Sequence, residues 1–150
     1  MSYLPYVFIP LFAAILAQLI KIAINAVKGT FSWHDLNSYG GMPSSHAALV
    51  VSLTALIGYF EGFDTAAFAI AFVLMILIIR DSGGFRRVLG RHAEAINQLA
   101  ANLKSEASAA FSHQTERLGH TPLELFFVAL LGIIVAVIYI LLYTILYTAI

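Results

Sequence analysis

Charge is what this chain has least of. Asp, Glu, Lys and Arg make up 11% of its 150 residues, whereas a soluble domain carries about 25%. Set beside a hydrophobic fraction of 61%, that deficit excludes an ordinary soluble domain and points to an integral membrane protein. The 8 basic and 8 acidic residues cancel, so there is no basic excess to attract nucleic acid, and no nucleic-acid partner is expected. Cysteine is absent, which excludes disulfides, thiolate metal sites and cysteine nucleophiles. No two histidines have the spacing of a helical zinc site, so neither a metal nor another cofactor is expected. The first residues lack the basic region of a cleavable signal peptide, and the apolar run that follows is long enough to span a membrane instead. Internal repeats, heptad arrays and low-complexity tracts are missing too.

What is present is four apolar runs: about Leu4 to Val27, Ser45 to Phe60, Asp64 to Ile79 and Leu123 to Ile150. A span needs roughly 20 residues at 1.5 Å each. The first and fourth satisfy this, with Gly132 a candidate break in the fourth. The middle two are short. The turn Glu61-Gly62-Phe63-Asp64 joins them, with Asp64 as candidate N-cap, and they read as a membrane-crossing hairpin in preference to a re-entrant one. Ser82-Gly83-Gly84 is expected to break the third helix. Beyond it Ile96, Leu99, Leu103, Ala107 and Phe111 recur at helical spacing, the pattern of an amphipathic helix at the membrane surface or against the bundle. Ser105 to Gln114 reads as a mobile loop. The expected architecture over residues 1–150 is one all-α integral membrane domain, a polytopic bundle of about four transmembrane helices plus an amphipathic interfacial helix.

With four spans, all eight Lys and Arg residues fall on one side, and the opposite turn carries only Glu61 and Asp64. The positive-inside rule makes the basic side cytoplasmic. The expected location is therefore the cell membrane, multi-pass, with the functional face towards the cytoplasm.

The polar residues cluster where apolar helices begin. Gly40-Gly41-Met42-Pro43-Ser44-Ser45-His46 opens directly into the second run. Its glycines permit close backbone approach. Ser44 and Ser45 offer hydroxyls and helix-start amides to an oxyanion, and His46 is placed to donate a proton to a leaving oxygen. Plain N-capping by serine is the competing explanation. Lys21 sits inside an apolar run, where an ion is a functional candidate by default; snorkelling to the interface is the alternative. Arg86 and Arg87 offer phosphate-matching guanidiniums, with Asp81 able to orient one of them. They also read as a basic stop at a membrane edge. In His120-Thr121-Pro122-Leu123-Glu124, the pattern Thr121/Glu124 is a capping box with Pro122 at the first helical position. That leaves His120 unexplained, and Glu124 could also orient its imidazole. His34, His92 and His113 read as surface histidines.

Pro43-Ser44-Ser45-His46, Lys21 before it and Gly119-His120-Thr121-Pro122-x-Glu124 after it resemble the divergent branch of the type 2 phosphatidic acid phosphatase superfamily. The resemblance covers nearly the whole chain and includes Gly84-Phe85-Arg86-Arg87. It implies a membrane lipid-phosphate phosphatase that hydrolyses phosphomonoesters or diphosphates without metal, through a phosphohistidine. By resemblance His120 is the nucleophile, Glu124 its orienting carboxylate and His46 the general acid, with Lys21, Ser44 and Ser45 holding the phosphoryl oxygens. The implied partners are membrane lipids, with a lipid phosphate or a prenyl phosphate or diphosphate as substrate; a homo-oligomer is left open. The chain departs from the wider superfamily at several motif positions. Lys28 stands for arginine, Gly29 for proline and Ser45 for glycine. His113 stands for serine, Gln114 for arginine and Glu124 for aspartate. Arg86, Arg87 or Arg117 would have to supply the missing guanidiniums. The alternative is a non-catalytic membrane protein, a carrier, regulator or scaffold, that binds anionic lipid or phosphate at the same cradle.

Overall fold

In the computed structural model, residues 3–29, 43–102, 112–116 and 118–148 are described, and every regular element among them is helical. In chain order they are α1 (Pro5–Val27), α2 (Ser45–Phe60), α3 (Ala66–Arg80), a π turn (Asp81–Phe85), α4 (Arg86–Ala101) and α5 (Pro122–Thr148). The calls on His34, on Gly40 to Met42, on Leu103, Ala107 and Phe111, on Arg117 and on most of the expected mobile loop lie outside the described residues.

Helix α2 is the axis of the bundle. Ala47 and Ala48 of α2 meet Ala13 and Ala17 of α1 and Val128 and Val135 of α5 in one buried cluster. Alanines let helix backbones approach closely, which is how helices associate where burying large apolar side chains gains nothing over lipid. Gly132 works the same way. A Cβ there would lie 2.8 Å from the Ala48 carbonyl oxygen and 3.1 Å from the Val51 Cβ. The glycine is therefore the contact point of α2 and α5, not a break, and α5 runs unbroken for 27 residues.

Direction follows from the contacts. Tyr6 near the start of α1 donates a hydrogen bond of 2.7 Å to Glu61 just after α2, so α1 and α2 are antiparallel. Phe60 packs edge-on against Tyr139 and Tyr143 while Gly132 meets Ala48, so α5 runs parallel to α2. The Thr54 hydroxyl donates to the Ala71 carbonyl of α3 at 3.2 Å, tying the hairpin together. One end of the bundle thus gathers the starts of α2 and α5 and the ends of α1 and α3.

Two local expectations are corrected. Thr65, not Asp64, caps α3: its Oγ1 accepts the Phe68 amide at 3.2 Å. Ser82-Gly83-Gly84 does not stop the helix, which passes through as a π turn into α4. Propensity is overridden by packing there. The Ser82 carbonyl receives a hydrogen bond from the chain before α5, and Gly83 lets Leu125 approach where a Cβ would stand 2.7 Å from its Cδ1.

Three helices are long and apolar enough to cross a membrane: Pro5–Val27, Ala66–Ala101 and Pro122–Tyr147. At 16 residues α2 is shorter, about 24 Å against a hydrocarbon thickness of about 30 Å. Helix α4 is amphipathic as expected, but the face it buries is not the apolar one. Ile96 and Leu99 are exposed, as are Phe85 and Leu89 on the same face. Gly90 and Ala93 are the buried pair.

Candidate functional site

The chain before α5 is laid along α4 and fixed there by backbone-level contacts. Asn97 grips Gln114 from both sides, its Nδ2 donating to the Gln114 carbonyl and its Oδ1 accepting the Gln114 amide, each at 2.9 Å. A Cβ on Gly90 would lie 2.6 Å from the Glu116 carbonyl oxygen. Gly119 has φ +84° and rests against the backbone of Arg86 and Arg87, where a Cβ would be 2.5 Å from the Arg87 nitrogen. Only glycine fits that conformation at that separation without strain. These contacts carry the chain to His120, whose amide donates to the Ser82 carbonyl at 2.9 Å. His120 is 5% exposed.

Thr121 and Glu124 form the capping box. Glu124 Oε2 accepts the Thr121 amide at 2.8 Å and Thr121 Oγ1 accepts the Glu124 amide at 3.3 Å. The pair satisfies donors that the start of α5 would otherwise leave open. Ser44 caps α2 in parallel fashion, its Oγ accepting the Ala47 amide at 3.4 Å, an arrangement worth about 1 kcal/mol. Two helix N-termini, each with a partial positive charge, therefore open at one end of the bundle.

Lys21 belongs to that end. Ala17 and Ala47 share the core cluster; Lys21 lies one turn beyond Ala17, and Ser44 one turn before Ala47, in the same direction. Lys21 is 3% exposed, so snorkelling does not account for it. The antiparallel register set by Thr54 and Ala71 brings Ser82 level with Pro43, and Ser82 carries His120. Arg86 and Arg87 touch Gly119 through their backbone, and the Arg86 Nε donates to Asp81 Oδ2 at 2.7 Å. Their five-residue separation is the hydrogen-bond spacing of a π turn, which brings the two side chains together. Arg87 and His46 are exposed and Ser45 is half-buried.

The structure thus brings Lys21, Ser44, Ser45 and His46 to the same end as Arg86, Arg87, His120 and Glu124. Sequence reasoning missed the residues that hold His120: Ser82 through its carbonyl, Gly90 and Asn97 through the chain they anchor. Gly90 left a signal, as an isolated glycine in a helical pattern marks a packing requirement. Ser82 and Asn97 left none, because each acts on a partner that only folding supplies. Among the described residues no group of three or more His, Asp or Glu is placed to hold a metal ion.

Comparison with known proteins finds related membrane proteins. A family model described as "Divergent PAP2 family" matches residues 4–135. An uncharacterized membrane protein of Bacillus subtilis (strain 168), YuiD, is 34% identical over 138 residues, covering 84% of this chain and 87% of that protein. No solved structure matches the fold.

Proposed function

The chain belongs to the divergent PAP2 family of membrane proteins, and from that premise we propose that it is a lipid-phosphate phosphatase acting at the end of the bundle that carries His46 and His120. The observation that carries the proposal is the buried Lys21 beside the capped start of α2. A buried ammonium is costly in an apolar bundle and is retained where an anion needs it. The same end of the bundle carries two helix N-termini and two arginines, the groups that stabilise charge on phosphoryl oxygens.

In this mechanism Lys21, Ser44 and Ser45 hold the phosphoryl oxygens, and Arg86, kept in place by Asp81, and Arg87 supply the positive charge. A ring nitrogen of His120 attacks phosphorus, a P–N bond forms and the P–O bond to the lipid breaks. His46 gives its proton to the departing lipid oxygen. Water then attacks the phosphohistidine, its proton passes to His46, and inorganic phosphate leaves. The basic residues at this end support a reaction at the cytoplasmic face of the cell membrane.

A second reading, binding of anionic lipid or phosphate without turnover, is favoured by Glu124. Its carboxylate is engaged with the Thr121 amide, which competes with orienting an imidazole. Phosphate release by purified protein from lipid phosphates and prenyl diphosphates, without added metal, separates the two. Release that falls by about a thousandfold or more in His120→Ala supports the phosphatase. Undiminished release in that variant removes His120 as nucleophile. No release, with lipid phosphate retained by the protein and lost in Lys21→Met, establishes the binding protein.

A further inference from the structure

Helix α4 has three sides, and two of them are accounted for. On the first, Gly90 and Asn97 hold the chain that leads to His120, with Ala93 buried between them. The second is polar and exposed, with Arg91, Glu94 and Gln98. The third, about a third of the way round from each of the others, is apolar. Phe85, Leu89, Ile96 and Leu99 recur along it every three or four turns of register, with His92 the polar member of the stripe, and all are exposed. Such a face on an otherwise charged helix calls for an occupant.

Length, continuity and charge select the bilayer. Helix α3 has 15 residues, about 22 Å, against about 30 Å of hydrocarbon. Its exposed Ile70, Val73 and Leu77 face lipid, and the same helix runs on without a stop to Ala101. Phe85 and Leu89 therefore continue a lipid-facing surface that α3 alone leaves short. The π turn at Ser82-Gly83-Gly84 is the kind of element at which a helix bends away from its axis, which lets α4 lie along the surface. The exposed charges from Arg80 onward are Arg80, Arg87 and Arg91 against Glu94, since Asp81 is taken up by Arg86. Arg91 projects about 100° from the middle of the apolar side, level with headgroups when that side is immersed. A second copy is the weaker occupant. The stripe has coiled-coil spacing, but complementary charges flank a coiled-coil seam, and here the flanks are mostly Ala93, Ala95 and Ala100.

We propose that α4 is a docking surface for the anionic phospholipids of the leaflet at the site end. Phe85, Leu89, Ile96 and Leu99 enter the acyl boundary, and Arg80 and Arg91 take headgroup phosphates. This surface is separate from the Lys21 cradle and holds whether or not that cradle turns over its ligand. It gives the membrane a hold on the site, because the helix it seats is the one that fixes the chain to His120.

The chain has no cysteine, so nitroxide labels can be placed one at a time. The full chain is reconstituted in vesicles of phosphatidylcholine, alone or with about one-third phosphatidylglycerol. Each label's collisions with oxygen, which concentrates in hydrocarbon, are compared with those of a water-soluble nickel chelate. In the mixed vesicles a label at Leu99→Cys should report hydrocarbon, and one at Gln98→Cys, on the polar side, water. Adding Arg91→Gln should lower the ratio of immersed to exposed Leu99 label about fivefold. About 0.5 M salt should act in the same direction, and Arg91→Lys, which keeps the charge, should keep the immersion. A label at Val73→Cys on α3 should report hydrocarbon with and without Arg91→Gln, and so report that the variant is inserted. A Leu99 label that meets water in mixed vesicles overturns the docking surface. Immersion that is equal in both kinds of vesicle and indifferent to Arg91→Gln overturns the preference for anionic lipid. Magnetic coupling between Leu99 labels at low protein density makes a second copy the occupant and overturns the proposal.

Discussion

Helices α2 and α3 are of nearly equal length, both apolar, and joined by a tight turn, yet they occupy opposite environments. Half of the α2 residues are buried, whereas Ala71 alone is buried on α3. Hydrophobicity does not separate them, because a bilayer offers Leu and Phe as good a solvent as a protein core does. What separates them is size and hydroxyl content. The buried face of α2 is Ala47, Ala48, Ser52, Thr54 and Gly58 among larger residues; α3 is mostly Phe, Ile, Leu and Met. Small residues predominate on the buried face of α2, whereas the large apolar residues of α3 lie outside.

That contrast can be broken from either side. The largest effect is expected from Gly132→Leu, which drives a side chain into the Ala48 carbonyl and parts α5 from α2. It should cost about 3 kcal/mol or more, read as a loss of folded protein in a denaturant titration in detergent. Gly119→Ala comes next. With φ +84° and the Arg87 backbone in the way, it should cost about 1–3 kcal/mol. It should also reduce phosphate release without touching His120. Thr54→Val removes the bond between α2 and α3 together with the one to the Val50 carbonyl at 2.7 Å. It should cost about 0.5–1.5 kcal/mol. Ile70→Ala, on the exposed side of α3, should change stability by less than about 0.5 kcal/mol. An Ile70→Ala cost as large as that of Gly132→Leu would mean that α3 is covered by something other than lipid.

The caps of α2 and α5 were legible because they are local, while that of α3 was misplaced by one residue, on Asp64 instead of Thr65. Thr121, Pro122 and Glu124 announce the start of α5 within four residues, and Ser44 announces α2. The burial of Lys21 was also legible, since a lone ammonium in an apolar run has few physical explanations. The π turn was not. Ser-Gly-Gly reads as a break by propensity, and only contacts from Leu125 and His120, some forty residues on, keep the helix going. Gly132 stayed ambiguous for the same reason: a glycine that admits a neighbouring backbone and one that ends a helix look alike until the neighbour is known. The amphipathic pattern after Gly84 was found, but its apolar stripe faces outward. The glycine and alanine beside it carry the packing, consistent with a helix lying at the interface.

The grip of Asn97 on Gln114 has a consequence for how this molecule can change. It closes the chain between α4 and the residues that lead to His120, so the register of His120 is inherited from α4 and not from the stretch in between. Loss of the Asn97 clamp would therefore loosen His120 from a distance, leaving the Ser82 carbonyl and the fit of Gly119 on the Arg87 backbone to hold its register.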